Sequence, residues 1–364
     1  MKIGVPKEIK NHEYRVGLTP ESVKEIIKNN HQVFIQKDAG SEIGFSNESY
    51  EGAGATIIDN AKKLYEASEL IVKVKEPIPE EFKYLNSKHT VFAYLHLAGD
   101  PETGLELAST GITGIALETV TADNGTMPLL SPMSAIAGQL SVVVGSYHLL
   151  KPNKGMGILI GAFQDVEPRV VTVIGAGVAG TEAIEKAIDN KAHLKIIDLS
   201  EKRLNELERI YGNKNIEYIL STEASIESAL IESDLVIGAV YVIGKQAPKV
   251  VKNSMLKQMK PGAVMVDISI DQGGCFESSK PTTHDNPTYD KDGIIHYCVT
   301  NMPGAVPLTA TQALNKATLP YILELANRGI DNALAKNKHL ANGLNVKNSE
   351  VVHDAVKEAL SIAI

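Results

Sequence analysis

The chain is poor in cysteine, in excess positive charge and in unbroken apolar runs, and each shortage removes a class of function. Its two cysteines, Cys275 and Cys298, fit a reducing compartment better than a disulfide framework. Lys and Arg number 36 against 44 Asp and Glu, giving a formal net charge of −8 without a basic stripe, which argues against a nucleic-acid partner. The opening MKIGVPKEIK lacks the apolar core of a secretory leader, so the cytoplasm is the expected location. From Gly125 to Leu150 there is no Lys, Arg, Asp or Glu, which is long enough to span a bilayer. Ser131, Pro132, Ser134, Gln139, Ser141, Ser146 and His148 interrupt it, however, and a spanning segment needs about 20 predominantly apolar residues. A helix buried between domains or subunits is expected there, with no membrane partner. Neither a repeat nor a low-complexity tract is present. What remains, 43% hydrophobic and 22% charged over 364 residues, is enough for a sizeable core and points to two domains.

The most informative segment is Val170–Gly180, VVTVIGAGVAG. A β-branched run ends in Gly175-x-Gly177-x-x-Gly180, then come a helix-like stretch and a second apolar run ending on Asp198, 18 residues past Gly180. Gly175 permits a tight strand-to-helix turn, Gly177 lets a pyrophosphate approach the backbone, and Gly180 lets helix and strand pack closely. The pyrophosphate would rest on free N–H groups at the helix start. Asp198 is placed to accept hydrogen bonds from a ribose diol, which favours NAD over NADP, although Lys202 and Arg203 lie close by.

Strand-like and helix-like segments alternate through the second half: Val170–Ile174, Thr181–Asn190, His193–Leu199, Glu201–Tyr211, Asp234–Val240, Ala263–Ile268 and Ile294–Val299. The first half alternates as well, through Lys2–Val5, Pro20–Asn29, Gln32–Gln36, Tyr50–Gly54, Leu70–Val74, Val91–Leu95 and Ile112–Leu117. Such alternation specifies doubly wound parallel sheets. Two long helices, Pro132–Leu150 and Thr309–Asn327, are expected to join the halves, the second kinked or interrupted at Pro320. The expected fold is α/β with two Rossmann-like doubly wound domains. A dinucleotide domain, 131–304, is inserted in a discontinuous substrate domain, 1–130 plus 305–364.

In open parallel sheets ligands bind beyond the carboxyl ends of the strands. In the second half that rule selects Gly175–Gly180, Asp198, Gly238-Ala239-Val240, Ser269–Gly274 and Asn301-Met302-Pro303. Asp271, following the strand VMVDISI, would point into the cleft; a turn-forming Asp is the plainer alternative. In the first half the rule selects Arg15 in HEYRVGLTP, Lys75 at the end of LIVKVKEP and His96 at the end of VFAYLHLAG. A guanidinium, an ammonium and an imidazole suit an anionic substrate with a polarisable carbonyl. Singly, the two cations would more often be solvated and the histidine a core residue. Cys275, His284, His296 and Cys298 fall within 24 positions, but their spacing matches no zinc pairing. Cys298 is expected on a strand beside His296 with the two side chains on opposite faces, and no metal site is expected.

MKIGVPKEIKNHEYRVGLTP, LIVKVKEP, YLHLA, SPMSAIAG, VIGAGVAG, VDISIDQGGCFESSKPTTH and HYCVTNMPGAVP, in this order from residue 1 to about 330, resemble the alanine dehydrogenase and transhydrogenase alpha-subunit family. The resemblance implies NAD-dependent oxidative deamination of L-alanine to pyruvate and ammonium, and its reverse. By the same resemblance Arg15 would bind the substrate carboxylate. Lys75, with Tyr94 nearby, would hold the carbonyl side. His96 would be the general acid–base group, and Asp271 would orient water or ammonia. Ser134, Gly175, Ala176, Gly177, Val178, Ala179, Gly180, Asp198, Arg203, Ser221, Val240, Ile268, Asp271, Val299, Asn301 and Met302 would line the NAD site, Asn301 also reaching the substrate. A homohexamer is implied. Gln139 stands where the family more often has a basic residue, and GAFQDVEPR replaces a Gly/Pro-rich stretch. The competing readings are a dehydrogenase of another small amino acid such as glycine, a nucleotide-binding transhydrogenase subunit and a non-catalytic NAD sensor. The set Arg15, Lys75, His96 and Asp271 speaks against the last two.

Overall fold

The structure, a computed structural model, describes residues 1–97, 99–242 and 246–363. Strands β1 (Lys2–Val5), β2 (Gln32–Gln36), β3 (Thr56–Ile58), β4 (Leu70–Val72), β5 (Thr90–Ala93) and β6 (Thr113–Ala116) come first. They are followed by β7 (Val170–Ile174), β8 (His193–Asp198), β9 (Ile216–Leu220), β10 (Leu235–Gly238), β11 (Val264–Asp267), β12 (Thr288–Lys291) and β13 (Ile294–Tyr297). Two more, β14 (Leu344–Lys347) and β15 (Glu350–Val351), lie near the C-terminus. The chain divides into two compact units, Met1–Met133 with Gly304–Ile364, and Ser134–Pro303.

Each unit carries one Rossmann-like sheet. The first runs β3-β2-β1-β4-β5-β6 in parallel, extended by antiparallel β14 and β15. The second runs β9-β8-β7-β10-β11-β13 in parallel, closed by antiparallel β12. Both follow the dinucleotide-fold order 3-2-1-4-5-6, which reverses direction beside the first strand and opens a crevice there. Alternation along the strands of the second unit builds two cores. Val171, Val173, Leu235, Ile237, Val264 and Val266 face one side, while Ile174, Val236 and Met265 face the other. Each fully buried aliphatic side chain contributes roughly 1.5–3 kcal/mol. In the first unit Ile71, Val91, Ala93 and Leu95 pack with Val346, Val351, Val356 and Leu360, so the C-terminal segment completes that core.

Several sequence-based boundaries move. β4 stops at Val72, β5 at Ala93 and β11 at Asp267, so Lys75, His96 and Asp271 lie on the loops beyond the strands. Asp271 sits in a 3-10 turn, Ile268–Gln272, because the Asp267 side chain captures the Ser269 N–H and ends the strand. Strands β3, β9, β12, β14 and β15 carry weak patterns: they are short or lie at a sheet edge, where polar residues are tolerated. Pro320 does not interrupt its helix, which runs from Pro307 to Arg328. Buried Leu314, Ile322 and Leu325 flank the proline, and Val16 and Thr19 donate their N–H groups to Thr311 and Asn315 at 3.3 and 2.8 Å. Burial on that scale outweighs the roughly 3 kcal/mol an interior proline costs. The uncharged segment forms the helix Ser131–His148, and among the described residues no helix is long and apolar enough to cross a membrane.

Candidate active site

After β7 the chain turns sharply at Gly175, whose φ of +95° is open only to glycine at low cost. A side chain at Gly180 would strike the Gly175 carbonyl, its Cβ 1.8 Å from that oxygen, so this glycine brings helix against turn. Gly177 differs from both: nothing lies within 4 Å of where its Cβ would be, and it caps the helix Val178–Asp189 without a side-chain hydrogen bond. The open approach and the uncapped N–H groups suit a pyrophosphate. At the end of β8 Asp198 accepts from the Ala176 N–H at 2.7 Å and the Ser200 N–H at 2.8 Å, which locks the acid to the glycine turn. Arg203 donates to the Ala176 carbonyl (3.0 Å) and the Thr181 hydroxyl (2.8 Å) and pairs with Glu206 (2.8 Å), so its charge is committed within the protein. A cleft of about 580 Å³ is lined by Ala176, Gly177, Val178, Thr181, Asp198, Ser200 and Arg203 among others.

The rest of the second-unit set follows the same sheet edge. Ser221 lies past β9 and donates its N–H to the Asp198 carbonyl at 2.9 Å. Val240 lies past β10, Ile268 past β11, and Val299 with Asn301 and Met302 past β13. Asn301 adopts a positive φ of +62°. Ala179 is in the helix after the glycine turn, and Ser134 is near the start of the helix Ser131–His148. Gln139 bonds Glu182 at 2.8 Å, and in GAFQDVEPR the half-exposed Phe163 and Val166 bridge each other. Asp271 is exposed on its loop.

Arg15, Lys75 and His96 lie beyond β1, β4 and β5, three consecutive strands of the first sheet, so their loops emerge within roughly 10 Å of one another. Arg15 is 2% exposed rather than solvated. Its Nε and Nη2 meet the two Glu13 oxygens at 2.6 and 2.5 Å, and Nη1 donates to the Met133 sulfur at 3.2 Å. Burial opposes its charge, but Glu13 more than restores it and holds the guanidinium above its ordinary pKa. Lys75 is half-buried, and its N–H leans on Glu8. His96 takes a φ of +47°, which explains why the strand cannot reach it. The Glu118 carboxylate holds this bend by accepting the N–H groups of Leu95 (3.1 Å) and His96 (2.7 Å). Tyr94 stacks on His96 with ring centres 5.9 Å apart, and its hydroxyl donates to the Leu129 carbonyl at 2.6 Å. Burial raises the Tyr94 phenol, which stays protonated.

Sequence reasoning passed over the acids that hold these groups: Glu8, Glu13, Glu81 and Glu118. It also passed over Lys73, which is buried between Glu8 and Glu81 at 3.0 Å from each. A lysine inside the apolar run LIVKV was the available signal, since a charge there needs partners.

The placement of His296 and Cys298 on opposite faces is wrong: residues two apart on a strand share a face. Tyr289 touches both, stacking on His296 at 5.1 Å and meeting the Cys298 sulfur at 3.6 Å. His296 bonds Ser278, and His284 the Asn301 carbonyl. Burial raises the thiols of Cys275 and Cys298, which disfavours thiolate ligands. Among the described residues no group of three or more His, Cys, Asp or Glu could hold a metal ion.

Two family models match nearly the whole chain: alanine dehydrogenase/PNT, N-terminal domain, over residues 4–137, and its C-terminal domain over residues 141–354. The chain belongs to the alanine dehydrogenase/PNT family. It is 49% identical to an alanine dehydrogenase of Halomonas elongata, covering 100% of this chain and 97% of that one. To an alanine dehydrogenase of Bacillus subtilis it is 48% identical, covering 99% and 95%. A solved L-alanine dehydrogenase superposes with a TM-score of 0.95 at 46% identity over all of both chains. A transhydrogenase of Sinorhizobium meliloti shares the fold, with a TM-score of 0.81 at 23% identity over 98% of this chain and 100% of that one.

Proposed function

We propose that the chain is an NAD-dependent alanine dehydrogenase converting L-alanine to pyruvate and ammonium, reversibly. The observation that carries this reading is the cluster of Arg15, Lys75 and His96 beyond three adjacent strands, in a chain about half identical to curated alanine dehydrogenases. The second unit supplies the dinucleotide groups: the turn Gly175–Gly180 for the pyrophosphate and Asp198 for the adenosine ribose. NAD, when bound, accepts hydride from the amino-acid Cα.

The chain's own residues do the rest. Arg15 binds the substrate carboxylate, end-on because Glu13 holds its Nε/Nη2 side. Lys75 steadies the oxygen that becomes the pyruvate carbonyl. His96 takes a proton from the water that adds to the iminium and returns it to the departing amine, each transfer worth about 10²–10⁴ in rate. Asp271 orients the water or ammonia. Tyr94 acts through His96, since its hydroxyl proton is committed to Leu129. By family membership the enzyme is read as cytoplasmic and homohexameric.

The deciding experiment is NAD reduction across small amino acids at alkaline pH. L-Alanine should be the best substrate, with glycine roughly 10- to 200-fold slower for its missing methyl group; no turnover with alanine overturns the reading. Asp198→Ala should raise the KM for NAD by about 10- to 150-fold, the cost of a charged hydrogen bond, and leave the alanine KM at saturating NAD unchanged. An unaltered NAD KM would remove Asp198 from the ribose site.

A further inference from the structure

Asp267 closes β11 with no exposed surface, and its carboxylate is saturated by one loop. Oδ1 accepts the Ser269 N–H at 3.0 Å and faces the Cys275 thiol at 3.5 Å. Oδ2 accepts the N–H groups of Cys275 and Phe276, at 2.8 and 3.3 Å, and the Ser279 hydroxyl at 2.5 Å. These partners stand on both feet of the segment that carries Asp271, so one buried anion ties the loop's ascending and descending arms together. The segment folds back through Gly273 and Gly274, with φ of +85° and +78°. A Cβ on Gly274 would come within 2.7 Å of Asp267 Oδ2. From the other side Lys249 donates its ammonium to the carbonyls of Gly273 and Gly274, and Ala247 donates its N–H to the Gln272 carbonyl at 2.9 Å.

We propose that Asp267, backed by Lys249, is a positioning residue of the reaction, fixing the geometry of the loop that carries Asp271. This rests on the function proposed above. A buried anion with four or more donors aimed at it is costly to desolvate and stays only where the donors are fixed, so it stiffens the backbone it binds. The Asp271 carboxylate itself has no hydrogen-bond partner among the described residues, which leaves its aim to the loop.

The test is a double-mutant cycle in the full-length enzyme, reading kcat and KM for alanine and the Kd for NADH. Asp267→Asn keeps the size but turns an NH₂ toward donors; it should lower kcat about 10²-fold, and Lys249→Ala about tenfold, with the alanine KM within about threefold. In an Asp271→Asn background the same changes should cost nothing further. Equal losses in both backgrounds, or an unchanged kcat, overturn the proposal. Should Asp267→Asn not fold, the exposed Lys249→Ala decides by the same criterion. Asp271→Asn with wild-type turnover would instead overturn the role given to Asp271 in the proposed function. An inactive Asp271→Asn beside a fully active Asp267→Asn defeats the positioning claim alone.

Discussion

Replacing His96 by alanine is expected to lower kcat for alanine oxidation by about 10²–10⁴-fold, the worth of a general acid–base group, while NADH binds as in the wild type. NADH affinity should be untouched because the groups proposed for the dinucleotide, Gly175–Gly180 and Asp198, belong to the other unit. The left-handed backbone at His96 gives the experiment a control. Histidine and asparagine both tolerate φ near +47° better than alanine does, so asparagine is the substitution that spares the backbone. Glu118 grips the backbone N–H and not the ring, so His96→Asn keeps the bend and removes only the imidazole. Collapse of kcat in both variants assigns the loss to proton transfer. Recovery in His96→Asn would assign it to backbone geometry, and near-wild-type turnover in both would remove His96 from the mechanism.

The fold was legible wherever one residue type had one structural consequence. Glycines at 175, 177 and 180 are such cases: one needs a positive φ, one needs room beside the backbone, and one needs to have no side chain at all. The β-branched runs of β7, β10 and β11 are another, buried on both faces and therefore continuously apolar. Strand ends were less legible, because side-chain carboxylates decide them. Asp267 stops β11 by capturing an N–H two residues on, a local turn that the apolar pattern of the strand masks, and Glu118 bends the chain after β5 from 22 residues away, which no local propensity encodes. The same physics hid part of the site. Arg15, Lys75 and His96 could be read from chemistry at strand ends, but Glu13 and Glu8 resemble any solvated charges until the fold buries them. Faces on a strand follow from counting alone, and there the error over His296 and Cys298 was one of parity rather than of missing information.

Lys73→Met should destabilise the first unit by about 3–5 kcal/mol, the usual cost of leaving buried charge without its partner. Lys73 is 2% exposed, and its ammonium sits 3.0 Å from both Glu8 and Glu81. Those acids are themselves tied down: Glu8 accepts the Val74 N–H at 2.7 Å, and Glu81 accepts the Tyr65 hydroxyl at 2.8 Å and the Ile78 N–H at 3.1 Å. Two carboxylates left together in a dry site must protonate or drag water inward. Burial alone would lower the lysine's pKa, but the two acids more than reverse this and raise it above the ordinary 10.5. A raised base contributes stability that is complete below its unfolded value and is lost as pH climbs through the folded one, so alkaline assays short of that range leave the network intact. In the variant the sign inverts at the acids. Burial already raises the Glu8 carboxyl against the pull of Lys73, and without that ammonium it rises further, so lost stability returns as pH falls toward the carboxylate range. Urea unfolding at neutral pH and near pH 5 should therefore show the gap to wild type narrowing in acid. A second variant, Lys73→Met with Glu8→Gln and Glu81→Gln, removes every charge and should recover much of the loss. A midpoint for Lys73→Met equal to wild type at neutral pH would mean that the network contributes nothing to stability. The consequence for the proposed site is direct, because Glu8 also accepts the Lys75 N–H: the buried lysine holds the acid that holds the loop of the proposed substrate-binding one.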